Sequence, residues 1–184
     1  MRKKLLLLLP LLALIASCGP SREELTRQRV QGLSKMAELG TVEYTVKKII
    51  KTDDVVWWKW GKRKIIYTCK AFIKAGIDLK DFSASDVSVD LENKTIAIEL
   101  PKAKILSFNM PPEEINLEFS MITGFRDQFS PEEKQQLLVL GEKDINEDKK
   151  IEEGILQDAE ANAKLFFTAM FSQIGYERIN VKFK

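Results

Sequence analysis

Apolar and polar positions follow two different rhythms along this chain. Between Ser21 and Leu39, residues Leu25, Val30, Leu33, Met36 and Ala37 fall on one stripe, which predicts a helix stopped at Gly40. Strict alternation follows. Val42, Tyr44 and Val46 alternate with Glu43, Thr45 and Lys47, predicting a strand over Thr41–Lys51 with a turn around Thr52-Asp53-Asp54. A longer strand is predicted over Lys64–Ile77. There Ile65, Tyr67, Cys69, Ala71, Ile73 and Ala75 share one face, while Thr68, Lys70 and Lys74 point the other way. On this pattern Cys69 is a small core residue rather than a nucleophile. Val87, Val89 and Leu91 alternate next, Glu92-Asn93-Lys94 forms a hairpin turn, and Ile96, Ile98 and Leu100 return to Pro101. Another extended piece covers Ala103–Asn109, before the Pro111-Pro112 break.

Beyond that break the helical period dominates. Ser130-Pro131-Glu132-Glu133 supplies a cap, a proline at the first helical position and an acidic first turn, so a helix is predicted from Pro131 to Gly141. The polar run Glu142–Lys150 reads as a connection or a solvated helix face. Ile151, Ile155, Ala159, Ala163, Phe166, Phe167, Met170 and Ile174 then mark the strongest helix, closed by Gly175, and Ile179, Val181 and Phe183 mark a last short strand. Together these elements predict an α+β fold. It has an antiparallel sheet of about five strands, with an N-terminal helix and C-terminal helices packed on it.

The first 18 residues change the picture of where such a domain works. Arg2, Lys3 and Lys4 precede an apolar run from Leu5 to Ala16, interrupted at Pro10 and ending on the small residues Ala16 and Ser17. That order is the order of a secretory signal. The run is about a dozen residues, against about 20 for a membrane-spanning helix. Ile15-Ala16-Ser17-Cys18 resembles the lipobox of bacterial lipoproteins, which implies cleavage before Cys18 and lipid on its sulfur. The expected organisation is a signal peptide over residues 1–17, a lipidated N-terminus and tether over 18–20, and one domain over 21–184. Gly19 in place of Asp favours the outer membrane by analogy with other lipoproteins, with the periplasmic or surface face undecided. Arg22-Glu23-Glu24 resembles a surface-export signal of Bacteroidetes lipoproteins, while Ser21 ahead of it also fits a helix cap.

Removing that leader takes three of the 29 basic residues and leaves 26 against 27 acidic ones. The mature chain is therefore near neutral, and no global basic field points to nucleic acid. Its length of about 165 residues suits one domain with a sizeable core. The chain has no histidine, and Cys69 is its only thiol besides Cys18. Zinc sites built on His or Cys pairs, Ser-His triads and Cys-His dyads are excluded, so no metal site, cofactor or catalytic residue is assigned. Asp144-Ile145-Asn146-Glu147-Asp148 looks like the start of a calcium loop. It fails at Lys149 and Ile155, where Gly and Glu are needed.

Short segments carry a family resemblance. Ala75-Gly76-Ile77-Asp78-Leu79, Asn93-Lys94-Thr95-Ile96, Leu100-Pro101-Lys102-Ala103-Lys104-Ile105 and the tail from Ala159 resemble the domain-of-unknown-function family 4230 of bacterial envelope proteins. The likeness spans about Leu39 to the C-terminus. It implies a fold and a compartment, and no activity or site residue.

The stretch richest in candidate chemistry is Val55 to Lys64. All three tryptophans, Trp57, Trp58 and Trp60, lie there beside Lys59, Lys62, Arg63 and Lys64. Tryptophan settles at membrane–water boundaries and cationic side chains are drawn to anionic lipid. The same mixture stacks on bases or glycans. In the alternative, the rings pack on the body of the domain. Trp57, Trp58, Trp60, Lys62 and Arg63 are thus candidate membrane or ligand contacts, beside Cys18 as lipidation site. The function expected is a non-catalytic binding or structural role in the envelope, with an envelope protein or glycan as a possible partner. Its alternatives are a membrane-surface binder through the Trp-rich hairpin, and a carboxylate-dependent glycan hydrolase with Asp78 or Asp86 taking part.

Overall fold

The computed structural model describes residues 20–184, and the expectations for the leader, Cys18 and Gly19 lie outside them. The period-two stretches fold into long strands. Strand β1 (Glu38–Val55) and strand β2 (Lys62–Asp78) pair antiparallel along their whole lengths. Thr52, Asp53 and Asp54 belong to β1, opposite Ile65, Lys64 and Arg63, so the turn predicted there is displaced to Val56–Gly61. Their polarity marks a ladder whose carboxylates meet basic partners across the pair: Asp53 meets Lys64 and Asp54 meets Arg63.

Strand β2 is the spine of a four-stranded sheet. One side carries β1. The other carries β5 (Lys104–Asn109) on its C-terminal half and β6 (Ile115–Ile122) on its N-terminal half. A second sheet joins β3 (Val87–Asp90), β4 (Thr95–Leu100) and β7 (Arg178–Phe183), with β4 and β7 parallel. The fold class is α+β, and among the described residues the strands number seven in two sheets rather than about five in one.

Three α-helices lie among the described residues: α1 (Arg22–Leu33), α2 (Pro131–Asn146) and α3 (Lys149–Ser172). Ser21 caps α1 by accepting from the Glu24 N–H at 3.2 Å. Ser130 and Glu133 close a reciprocal capping box on α2. Helix α2 continues past Gly141, a site where a Cβ would lie 2.1 Å from Ile50 and where the missing side chain lets the helix press on β1. Asp148 starts α3 by accepting from Lys150 and Ile151, so this acidic run is a helix junction.

The core lies between the sheets and α3. Ile155, Ala159, Ala163, Phe167 and Phe171 recur every four residues and are fully buried, against the odd-numbered face of β2 from Ile65 to Ile77. Ile96, Ile98 and Leu100 of β4 join them, and Phe167 stacks on Phe171 with centroids 6.2 Å apart. Helix α1 ends at a Ser34 cap, so Gly40 does not stop it. Gly40 instead sits in β1 at φ +62° beside a register shift, where a Cβ would come within 2.9 Å of Ala163. The buried hydroxyls of Thr26 and Tyr176 meet at 2.9 Å and tie α1 to the C-terminal tail. Among the described residues, no helix is long and apolar enough to cross a membrane.

Candidate binding surface at the hairpin tip

The β1–β2 hairpin ends in the turn Val56–Gly61, whose Lys59 N–H donates to the Val56 carbonyl at 3.1 Å. Gly61 adopts φ +117°, and a Cβ there would lie 1.9 Å from the Thr123 carbonyl oxygen. Only glycine permits that close approach, and the approach docks a second loop on the turn. Thr123 donates its N–H to the Lys62 carbonyl and accepts the Lys62 N–H on its hydroxyl, both at 2.9 Å. Phe125 donates to the Trp60 carbonyl at 3.0 Å. The tip is therefore two loops held backbone to backbone.

Its aromatic side chains face water. Trp57 is 90 % exposed, Trp60 77 % and Trp58 67 %, and Phe125 of the second loop is 86 % exposed. Trp57 and Trp58 meet edge to face at 5.5 Å, and Trp60 leans on Phe125 at 5.8 Å. The rings touch one another. Around them lies an open cleft of about 750 Å³, bounded by Val55–Lys62 with Thr123 and Gly124.

The basic residues of the stretch divide. Lys59 and Lys62 are exposed beside the rings. Arg63 is removed from the candidate contact set. Its side chain is only 12 % exposed and turns inward, donating to Asp54 at 2.9 Å and to Glu133 at 2.8 and 3.2 Å, with its guanidinium 4.4 Å from the Phe129 ring centre. Arg126, 3 % exposed, donates to the same Asp54 carboxylate. Sequence order placed Arg63 among the solvated cations, but strand alternation puts it on the helix side of β2, opposite Lys62 and Lys64. Glu133 and Asp54 hold the Arg63 guanidinium charged, and Arg63 in turn holds the Glu133 carboxyl below its ordinary range. This ion network fastens the second loop and the start of α2 under the tip.

Sequence reasoning missed Phe125 and strand β6. A period-two signal was present in Ile115, Leu117, Phe119 and Met121, following the Pro111-Pro112 break and an acidic pair. Strand β6 pairs only with β2, and Leu117, Phe119 and Met121 are exposed.

The other carboxylates singled out are tied into ion pairs. Lys104 donates to Asp78 at 2.7 Å and Lys184 donates to Asp86 at 2.6 Å; both carboxyls are held below their usual range, chiefly by those bonds. Asp90 caps its own turn by accepting from Asn93. Cys69 is fully buried, its thiol pushed up by desolvation and donating to the Lys48 carbonyl at 3.6 Å. Among the described residues, no three His, Cys, Asp or Glu side chains cluster as a metal site. A second concavity of about 540 Å³ lies between α1 and the β3–β4 hairpin, lined by Thr26, Val30, Val87, Val89 and Leu91 with Glu23 and Arg27 at its rim.

Comparison with known proteins gives one match. The family model described as "Protein of unknown function (DUF4230)" fits residues 31–181, which is 151 of the 184 residues. No curated protein and no solved structure matches the chain.

Proposed function

We propose that this chain, which belongs to the DUF4230 family, is a lipid-anchored protein of the bacterial envelope with a non-catalytic binding role, exerted through its aromatic tip. The observation that carries the reading is the placement of the tryptophans. Three large rings stand 67–90 % exposed on a turn built to hold them there, while Phe82, Phe167, Phe171 and Tyr176 cluster inside the domain. Exposing that much apolar surface forfeits about 25 cal/mol per Å² that burial would return, so its retention at one spot supports a contact made with something outside the fold.

The anchor belongs to the same proposal. Lipid on Cys18, with Gly19 after it, places the domain at the outer membrane, and the tip supplies a second contact with an envelope component. A hydrolase built on Asp78 or Asp86 has less support. Both carboxylates are held ionised by lysine, whereas a general acid needs its proton near neutral pH.

The test uses isolated envelope membranes and the lipid-free chain, residues 20–184. The native chain is expected to co-sediment with them, and the triple variant Trp57→Ala/Trp58→Ala/Trp60→Ala is expected to remain folded in the supernatant. Equal sedimentation of both chains would remove the tip from the binding account. In cells, Cys18→Ser is expected to release the protein from the membrane fraction or leave it unprocessed; normal-size protein still bound would remove the anchor.

A further inference from the structure

We infer that the occupant of the tip is an anionic phospholipid surface, and that the open face of the four-stranded sheet next to the tip lies along it; this rests on the tip being a binding surface. The register defines that face. Lys51, Ile66 and Phe119 line up across β1, β2 and β6; Asp53, Lys64 and Met121 form the next row; Val55 and Lys62 lead into the turn. Helices α2 and α3 cover the opposite side, where Ile50, Ile65 and Tyr67 are buried. The open side thus alternates apolar and cationic side chains over three strands and runs without a break into the tryptophans.

The distribution of ion pairs gives this face its sign. Far from the tip, the sheet's cations have acidic partners: Lys70 bonds Glu114 at 2.7 Å, Lys74 bonds Glu38 at 2.6 Å and Lys104 bonds Asp78 at 2.7 Å. Near the tip, Asp53 is the only carboxylate in the rows just described, and it meets Lys64 at 3.3 Å. Lys51, Lys59 and Lys62 are exposed and have no acidic partner within 4 Å among the described residues. In a chain that is near neutral overall, unneutralised positive charge therefore stands beside the exposed rings.

That pairing of chemistries selects the occupant. Tryptophan rings partition into the boundary between headgroups and acyl chains, and lysines at the same level gain from a negative surface. A glycan would use the ring faces without needing the cations. A neutral bilayer would use the rings alone. Only an anionic lipid surface answers both, and the flat sheet edge, with Phe119 and Met121 beside Ile66, extends the contact beyond the turn.

The experiment measures binding of residues 20–184 to vesicles of phosphatidylcholine alone and of phosphatidylcholine with phosphatidylglycerol. Readouts are sedimentation and selectively excited tryptophan fluorescence, which reports only on the tip because all three tryptophans lie there. The expected result is at least tenfold tighter binding to the anionic vesicles, a blue shift on binding, and weakening by salt. Lys51→Glu/Lys59→Glu/Lys62→Glu should abolish the preference while keeping the thermal midpoint. Lys35→Glu, in the turn between α1 and the far end of the 18-residue strand β1, should leave binding unchanged. Equal affinity for both vesicle types, an unaltered preference in the triple lysine variant, or absence of anionic-vesicle binding would each overturn the inference. If envelope membranes still bind through the tryptophans in that last case, the proposed function survives without this partner.

Discussion

Two aromatic clusters stand at opposite ends of this domain and have opposite fates. Phe82, Phe167, Phe171 and Tyr176 stack and cross one another in a water-free core between α3 and the sheets. Trp57, Trp58, Trp60 and Phe125 make comparable ring contacts in open water. Ring–ring geometry therefore does not separate a structural cluster from a surface one. What stands behind the rings does. The core cluster is seated on fully buried small residues, Ala159 and Ala163, that bring α3 close to β1. The tip cluster is seated on backbone hydrogen bonds, two glycines at positive φ and a four-membered ion network, none of which needs the rings. The first arrangement spends aromatic surface on stability, and the second holds it out for use.

The contrast breaks most visibly in the core. Phe167→Ala should cost about 3–5 kcal/mol in chemical denaturation, the usual cost of emptying a packed aromatic site. What remains folded should keep the tip's fluorescence. A smaller effect is expected from Asp54→Ala, which strands Arg126 beneath the tip and leaves Arg63 with Glu133 alone. Breaking one side of a buried ion pair costs about 3–5 kcal/mol, and Asp54's partial exposure brings the expectation to about 2–3 kcal/mol. This change should also alter tip fluorescence, because the second loop loses its tether.

Acid should act next. Glu133 and Asp86 are held below their ordinary range by Arg63 and Lys184, so the folded state binds their protons more weakly than the unfolded chain. Their contribution is intact above the unfolded carboxylate range and is lost as pH falls through and below it, from about pH 5 downward. The thermal midpoint should decline over that window, and Lys184→Gln should remove Asp86's share of the decline. A flat midpoint from pH 6 to pH 3 would contradict these two pairings.

Much of this division was legible in the residues before any coordinates. The alternation from Ile65 to Ala75 gave the buried face of β2, and the four-residue recurrence from Ile155 to Phe171 gave the helix packed on it. Both are period signals repeated many times, which local irregularity cannot erase. The turn was misplaced because Thr52-Asp53-Asp54 is polar, and polarity within a ladder is indistinguishable from polarity in a turn until its cross-strand partners are known. Gly40 was read as a helix stop because its actual role, a close approach to Ala163, joins residues more than 120 positions apart. At the tip, the tryptophans and neighbouring lysines were visible as a cluster. Their exposure, the loop bearing Phe125 and the inward turn of Arg63 were not, since each depends on contacts with residues 119–133. The second sheet's parallel pair was likewise out of reach, because β4 and β7 are separated by most of the C-terminal half of the chain.

The smallest expected effect on stability is also the most direct probe of the central contrast. Quenching of selectively excited tryptophan fluorescence by a water-soluble quencher, measured on residues 20–184 free and on membranes, follows only the three tip tryptophans. The free protein should be quenched nearly as fully as exposed indole and should become protected when membranes are added. Rings already shielded in the free, folded protein would contradict an outward-facing tip and the binding role built on it.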